Sequence, residues 1–126
     1  MFYAGSADEN ETCDALRKAF YDYGRLIDTH TAVAYKVYRD YREKTGDVTP
    51  SVVLSTASPF KFAQSVYGAL FGDEKADDFK YLELLSQKTG EKIPEPLNGL
   101  KERPVLHNTL CEKDEIMSFV NTVAGI

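Results

Sequence analysis

The sequence predicts a helix-rich α/β fold with two or three short strands. Three observations carry this expectation. Apolar residues recur at helical spacing in several separate stretches. A short apolar run, Val52-Val53-Leu54, lies between turn signals. Glycine or proline marks most of the junctions between these stretches.

The first helix is expected over about residues 9–23, after seven residues read as frayed. Asp8 or Asn10 can cap it, and early acidic residues suit the helix dipole. Cys13, Leu16, Phe20 and Tyr23 form its apolar stripe, and Gly24 stops it. Residues 25–28 read as a short strand. A second helix is expected from about His30 to Lys44, with Thr29 as its N-cap and Ala34, Val37, Tyr38 and Tyr41 on one face. Tyr35, Tyr38 and Tyr41 read as a half-buried packing face.

Residues 51–56 are expected to form a buried strand of the parallel type. Ser58 then caps a third helix, with Pro59 at its first position and Phe62, Val66 and Leu70 stacked four apart. A fourth helix over about 77–88 carries Phe79, Leu82 and Leu85 and ends at Gly90. The acids Asp73, Glu74, Asp77 and Asp78 lack calcium-loop spacing and read as a solvated turn and cap. Residues 91–104, with Pro94, Pro96 and Pro104, read as a wrapping loop. Val105-Leu106-His107 reads as a further short strand. A last helix over about 112–124 presents Ile116, Phe119, Val120 and Val123. So few strands make a thin sheet, as expected of a piece of a larger one. No repeat or linker divides the chain, so residues 1–126 are expected to form a single segment.

Composition narrows the function. With 43% hydrophobic and 28% charged residues, the chain has the balance of a folded soluble domain. A net charge of -5, with basic residues interleaved among acids as in Arg39-Asp40-Tyr41-Arg42-Glu43-Lys44, excludes a nucleic-acid partner. No apolar run approaches the roughly 20 residues of a membrane span, and the N-terminus lacks the pattern of a secretory signal. Cys13 and Cys111 are too few and too far apart for a disulfide framework or a metal site. Both are expected to be buried thiols in a reduced, cytoplasmic setting.

Two places carry candidate chemistry. At the end of the expected strand, Ser55, Thr56 and Ser58 place three hydroxyls beside a helix start, and Lys61 puts a positive charge in the first turn, against the helix dipole. Asp28-Thr29-His30-Thr31 gathers an acid, an imidazole and two hydroxyls. On composition alone, simple helix caps, a solvated lysine and an ordinary histidine are the favoured account of the same residues. No serine stands in a nucleophile elbow, and neither histidine has a metal-ligand partner at helical spacing. All eight glycines are isolated, so no glycine-rich loop is present to cradle a phosphate.

Two segments together carry a resemblance. LIDTHTAVAYKVYRDY (26–41) resembles the threonine synthase segment written around D-P-H-T-A, and SVVLSTASPFKFAQSV (51–66) resembles that family's S-T-A-H-P-x-K-F segment. Ile93-Pro94 and the start of the final helix, Glu112-Lys113-Asp114-Glu115-Ile116, resemble the family's C-terminal end. Thr29 stands where many members have Pro, and Ser58 where many have His. The resemblance therefore gives no histidine role to position 58.

The resemblance implies the C-terminal part of a two-domain enzyme that uses pyridoxal phosphate (PLP) to convert O-phosphohomoserine and water to threonine and phosphate. It implies that Thr56, supported by Ser55, meets the cofactor's ring nitrogen. Lys61 and, more weakly, His30 are candidate substrate contacts. The family's Schiff-base lysine lies upstream in a Phe-Lys-Asp context; Lys61 and Lys80 each follow Phe but precede Phe and Tyr. No catalytic residue and no metal ligand is therefore assigned here. This chain alone is expected to bind no cofactor and to be inactive. The remainder of the enzyme is its expected partner, and self-association through an uncovered apolar face is a further expectation. The alternative is a free-standing, non-catalytic interaction module derived from the same fold.

Overall fold

The computed structural model describes residues 2–126. The described residues form helices and no strands. The order is α1 (Glu9–Tyr23), α2 (Thr29–Thr45), a 3-10 turn (Pro59–Phe62) leading into α3 (Ala63–Phe71), α4 (Asp78–Thr89), short 3-10 turns at Leu100–Glu102 and Lys113–Glu115, and α5 (Ile116–Ala124). The expected α/β class is therefore wrong. Residues 25–28 are the link that caps α2. Residues 51–56 form neither helix nor strand, and no neighbouring strand pairs with them. Val52 and Leu54 are 86% and 75% exposed, the opposite of a buried strand. Residues 105–107 are exposed. A run of three apolar residues fits either an extended link or a strand, and only a partner decides between them.

The helices form where periodicity and caps place them. Asp8 and Glu11 make a reciprocal capping box on α1: the Glu11 backbone N–H donates to Asp8 Oδ1 at 2.8 Å, and the Asp8 N–H donates to Glu11 Oε2 at 2.9 Å. Gly24 ends α1 at φ 63°, a left-handed conformation that side chains disfavour. Asp77 caps α4 by accepting from the Lys80 N–H at 2.8 Å.

Packing runs α2 on α1, α1 on α3, and α3 on α4. The central α3 is buried on most sides: Ala63, Val66, Tyr67, Ala69 and Leu70 all lie in the core. Ala15, Leu16 and Ala19 of α1, Ala32 of α2, and Tyr81 and Leu85 of α4 close around it. Of the expected α1 stripe, Leu16 is buried and Cys13 and Phe20 pack on the core, while Tyr23 is exposed; Ala15 and Ala19 widen the buried face. The expected frayed N-terminus instead lies along α2. Lys36 Nζ donates to the Ser6 carbonyl at 3.2 Å, and the Tyr3 and Tyr41 rings meet edge-on at 5.1 Å. A Cβ on Gly5 would stand 3.1 Å from Val37 Cγ1, so this contact depends on a residue without one.

Residues 98–126 are exposed throughout. This stretch includes Cys111, which is therefore not the buried thiol expected; Cys13 is half-buried. Ile93 and Leu97 do pack on the core, as a wrapping loop requires.

Asp28, not Thr29, is the N-cap of α2. Its side chain is completely buried. Burial pushes its carboxyl up, but hydrogen bonds from the Thr31 hydroxyl and from the Thr31 and His30 backbone N–H groups outweigh this and hold it below the usual range.

Two outcomes follow. Leu85→Ala empties a fully buried site and should lower unfolding free energy by about 2–5 kcal/mol, measured by denaturant titration. The Asp28 carboxylate stabilises the fold above its unfolded pKa of roughly 4, and that contribution is lost as pH falls through the lower folded value. Stability measured between neutral and strongly acidic pH should therefore fall on acidification. Asp28→Asn should flatten that fall while lowering stability at neutral pH.

Candidate functional site

The turn at residues 55–58 lies against the start of α2, and its chemistry is organised by Asp28. Asp28 Oδ1 accepts the His30 N–H at 2.9 Å and the Thr31 N–H at 3.2 Å, satisfying free donors at the helix end. Asp28 Oδ2 accepts the Thr31 hydroxyl in a short hydrogen bond. Ser55 Oγ lies 3.2 Å from Thr31 Oγ1 and 3.5 Å from Asp28 Oδ2. Each hydroxyl has one proton. If the Thr31 proton is on the carboxylate, the Ser55 proton is the one available for the contact with Thr31. The sequence thus reads Ser55 to Thr31 to Asp28, ending on a buried charge.

Ser58 is also engaged. Its Oγ accepts the Phe60 N–H at 3.3 Å, a weak cap for the 3-10 turn opened by Pro59. Thr56 differs from both. It is exposed, and its hydroxyl makes no hydrogen bond among the described residues. Of the three hydroxyls at the turn, Thr56 is the one left for a ligand.

His30 is brought to the same carboxylate, with Nδ1 3.4 Å from Asp28 Oδ1, but its side chain is 67% exposed. It leans on the Phe62 ring with centroids 4.9 Å apart. His30 also borders an open groove of about 610 Å³ with Val33, Val37, Val52 and Leu54. Lys61 is exposed and opens on another depression of about 370 Å³, among Phe60, Phe62, Leu82 and Leu97. The structure therefore gathers Ser55, Thr56 and His30 around Asp28, while Lys61 and His30 line different depressions.

Asp28 and Thr31 belong to the flagged Asp28–Thr31 stretch, yet sequence reasoning did not single them out as supports of the turn. The signal was available in part: an acid three residues before a threonine at a helix start has the spacing of a side-chain cap. Its contact with Ser55, 27 residues on, had no signal. No group of three or more His, Cys, Asp or Glu side chains is placed to hold a metal among the described residues. No helix there is long and apolar enough to cross a membrane.

Comparison with known proteins matches most of the chain. The family described as threonine synthase, C-terminal, covers residues 31–120, which includes the turn and most of the helical core. A threonine synthase of Pseudomonas aeruginosa is 30% identical over 76 residues, 60% of this chain and 16% of the relative. A threonine synthase of Methylobacillus glycogenes is 35% identical over 88 residues, 69% of this chain and 18% of the relative. The chain thus spans less than a fifth of the length of these curated relatives. With this model matching well over half of its residues, the chain belongs to the threonine synthase C-terminal family.

Proposed function

We propose that this chain supplies one wall of a threonine synthase active site, in an enzyme that converts O-phosphohomoserine and water to threonine and phosphate with pyridoxal phosphate. The observation that carries the reading is the Thr56 hydroxyl, exposed and unengaged, beside a Ser55 hydroxyl that is tied inward. When bound, the cofactor supplies an electron sink for carbanions. A neutral hydroxyl suits an unprotonated ring nitrogen, whereas a carboxylate would favour the pyridinium. The carboxylate nearest the turn, Asp28, is buried and already accepts several hydrogen bonds, so Thr56 presents a neutral group.

The turn fits one end of such a cofactor. Anchors for its phosphate and its imine belong to the remainder of the enzyme in this reading, because the glycines here are isolated and no lysine stands in the family's Phe-Lys-Asp context. The chain alone is therefore inactive. Lys61 is a candidate for the substrate phosphate on charge and exposure, and His30 shapes the rim on the α2 side. They open on separate depressions, so they hold different groups. The remainder of the enzyme also covers the apolar face of α5, where Ile116, Phe119, Val120 and Val123 meet no core residue. A reduced, cytoplasmic setting suits the two free thiols, Cys13 and Cys111.

In the complete enzyme, Thr56→Val should lower kcat/KM by roughly 10–100-fold, the worth of one hydrogen bond of about 1.5–3 kcal/mol. The thermal midpoint should stay close to that of the parent, and Thr56→Ser should retain most of the activity. Near-normal turnover in Thr56→Val would remove Thr56 from the mechanism. Pyridoxal phosphate added to the 126-residue chain should give no stoichiometric visible band that disappears on replacing a single lysine; such a band would refute the assignment of the imine to other residues.

A further inference from the structure

We infer that Asp28 is a positioning residue for the cofactor-facing turn: through Thr31 it fixes the Ser55 hydroxyl and thereby the register in which residues 51–57 present Thr56. What Thr56 meets rests on the proposed function; the positioning itself rests on how this segment is held.

Residues 50–57 make no backbone–backbone hydrogen bond among the described residues. No ladder fixes their register, and Val52 and Leu54 point largely into solvent. Ser51 at the start of the segment donates to the Thr49 carbonyl at 3.1 Å, and its hydroxyl also meets the Tyr38 hydroxyl of α2. Next to Thr56, Ser55 reaches the start of α2, where its partners are Thr31 and Asp28. A segment without a backbone ladder takes the position of each end from the polar tie at that end, and Ser55 is the tie beside Thr56. Shifting the segment by one residue would bring Leu54 or Thr56, in place of Ser55, to the carboxylate.

The two carboxylate oxygens divide the work. Oδ1 accepts the His30 and Thr31 N–H groups and caps α2; Oδ2 faces the Thr31 and Ser55 hydroxyls. This separation makes capping and positioning distinguishable. In Asp28→Asn, the amide oxygen can keep the cap while the NH2 group presents donors where the hydroxyls need an acceptor. Thr31→Val removes the relaying hydroxyl of a buried side chain and leaves its backbone N–H on the cap.

The test uses the complete apoenzyme. Pyridoxal phosphate affinity is read by fluorescence, and exposure of residues 51–57 by limited proteolysis with mass spectrometry of the fragments. Asp28→Asn and Thr31→Val should each raise the cofactor Kd by about 10-fold, and the double variant should match either single one, because both cut the same chain of hydrogen bonds. Cleavage within residues 51–57 should accelerate in both variants, with helical content by circular dichroism unchanged and Thr31→Ser restoring the parent values. A parent Kd and cleavage rate in Asp28→Asn would overturn the inference, as would losses that multiply in the double variant, the behaviour of two independent structural defects. Thr56→Val reports separately. If it leaves Kd and turnover at parent values, the proposed function fails, while faster cleavage in Asp28→Asn still supports positioning by Asp28.

Discussion

The burial of one carboxylate constrains the rest of this structure. Asp28 is completely out of water, where an uncompensated charge would cost several kcal/mol. Its compensation is local and complete: two backbone N–H groups from the first turn of α2 and the Thr31 hydroxyl. Those donors exist only because α2 begins there, so the helix start and the buried charge require one another. The arrangement leaves Oδ2 able to meet a second hydroxyl, and Ser55 lies close to it across 27 residues of sequence. A helix cap thereby becomes the anchor for an otherwise unpaired segment.

Much of the helical scaffold is legible in the sequence because its causes are local. The Asp8–Glu11 capping box, the Gly24 stop and the Asp77 cap each act within a few residues. The stacked Val66 and Leu70 are both buried as their spacing implies. The α1 stripe holds at Cys13, Leu16 and Phe20 and fails only at Tyr23, in the last turn, where periodicity does not say how far the core reaches. The strands failed for a related reason. Val52-Val53-Leu54 has strand composition, but a strand is defined by its neighbour, and pairing is not written in one segment. The exposed Val52 and Leu54 show composition without partner.

The candidate site was legible as a place and less so as a mechanism. Three hydroxyls at the start of a helix mark the turn, and the helix start of α2 marks the stretch around His30. The sequence alone does not say which hydroxyl is engaged. Ser58 is used by the Phe60 N–H and Ser55 by the Asp28 network, so exposure and hydrogen-bond accounting single out Thr56. Lys61 illustrates the converse. It shares a short segment with the turn, yet the 3-10 geometry of Pro59–Phe62 sends it toward α4 and Leu97, away from the groove beside His30.

The far end of the chain follows the same logic of unmet needs. The α5 helix has nine residues, fewer than the roughly 12–15 at which an isolated helix becomes even marginally stable in water. Its local devices are the Glu112–Glu115 capping box and the Gly125 C-cap, which together are worth about a kcal/mol or two. Its apolar residues Ile116, Phe119, Val120 and Val123 fall on one side at helical spacing, the pattern of a helix that packs. None of them reaches the core formed by α1 to α4. Caps and periodicity shape this helix; a stable apolar contact has to come from a surface outside that core. The curated relatives are more than five times the length of the matched region, and in the proposed reading the rest of such an enzyme supplies that surface. The same deficit therefore appears at both ends of the proposed reading: a turn that presents a hydroxyl to a cofactor held elsewhere, and a helix whose packing partner also lies elsewhere.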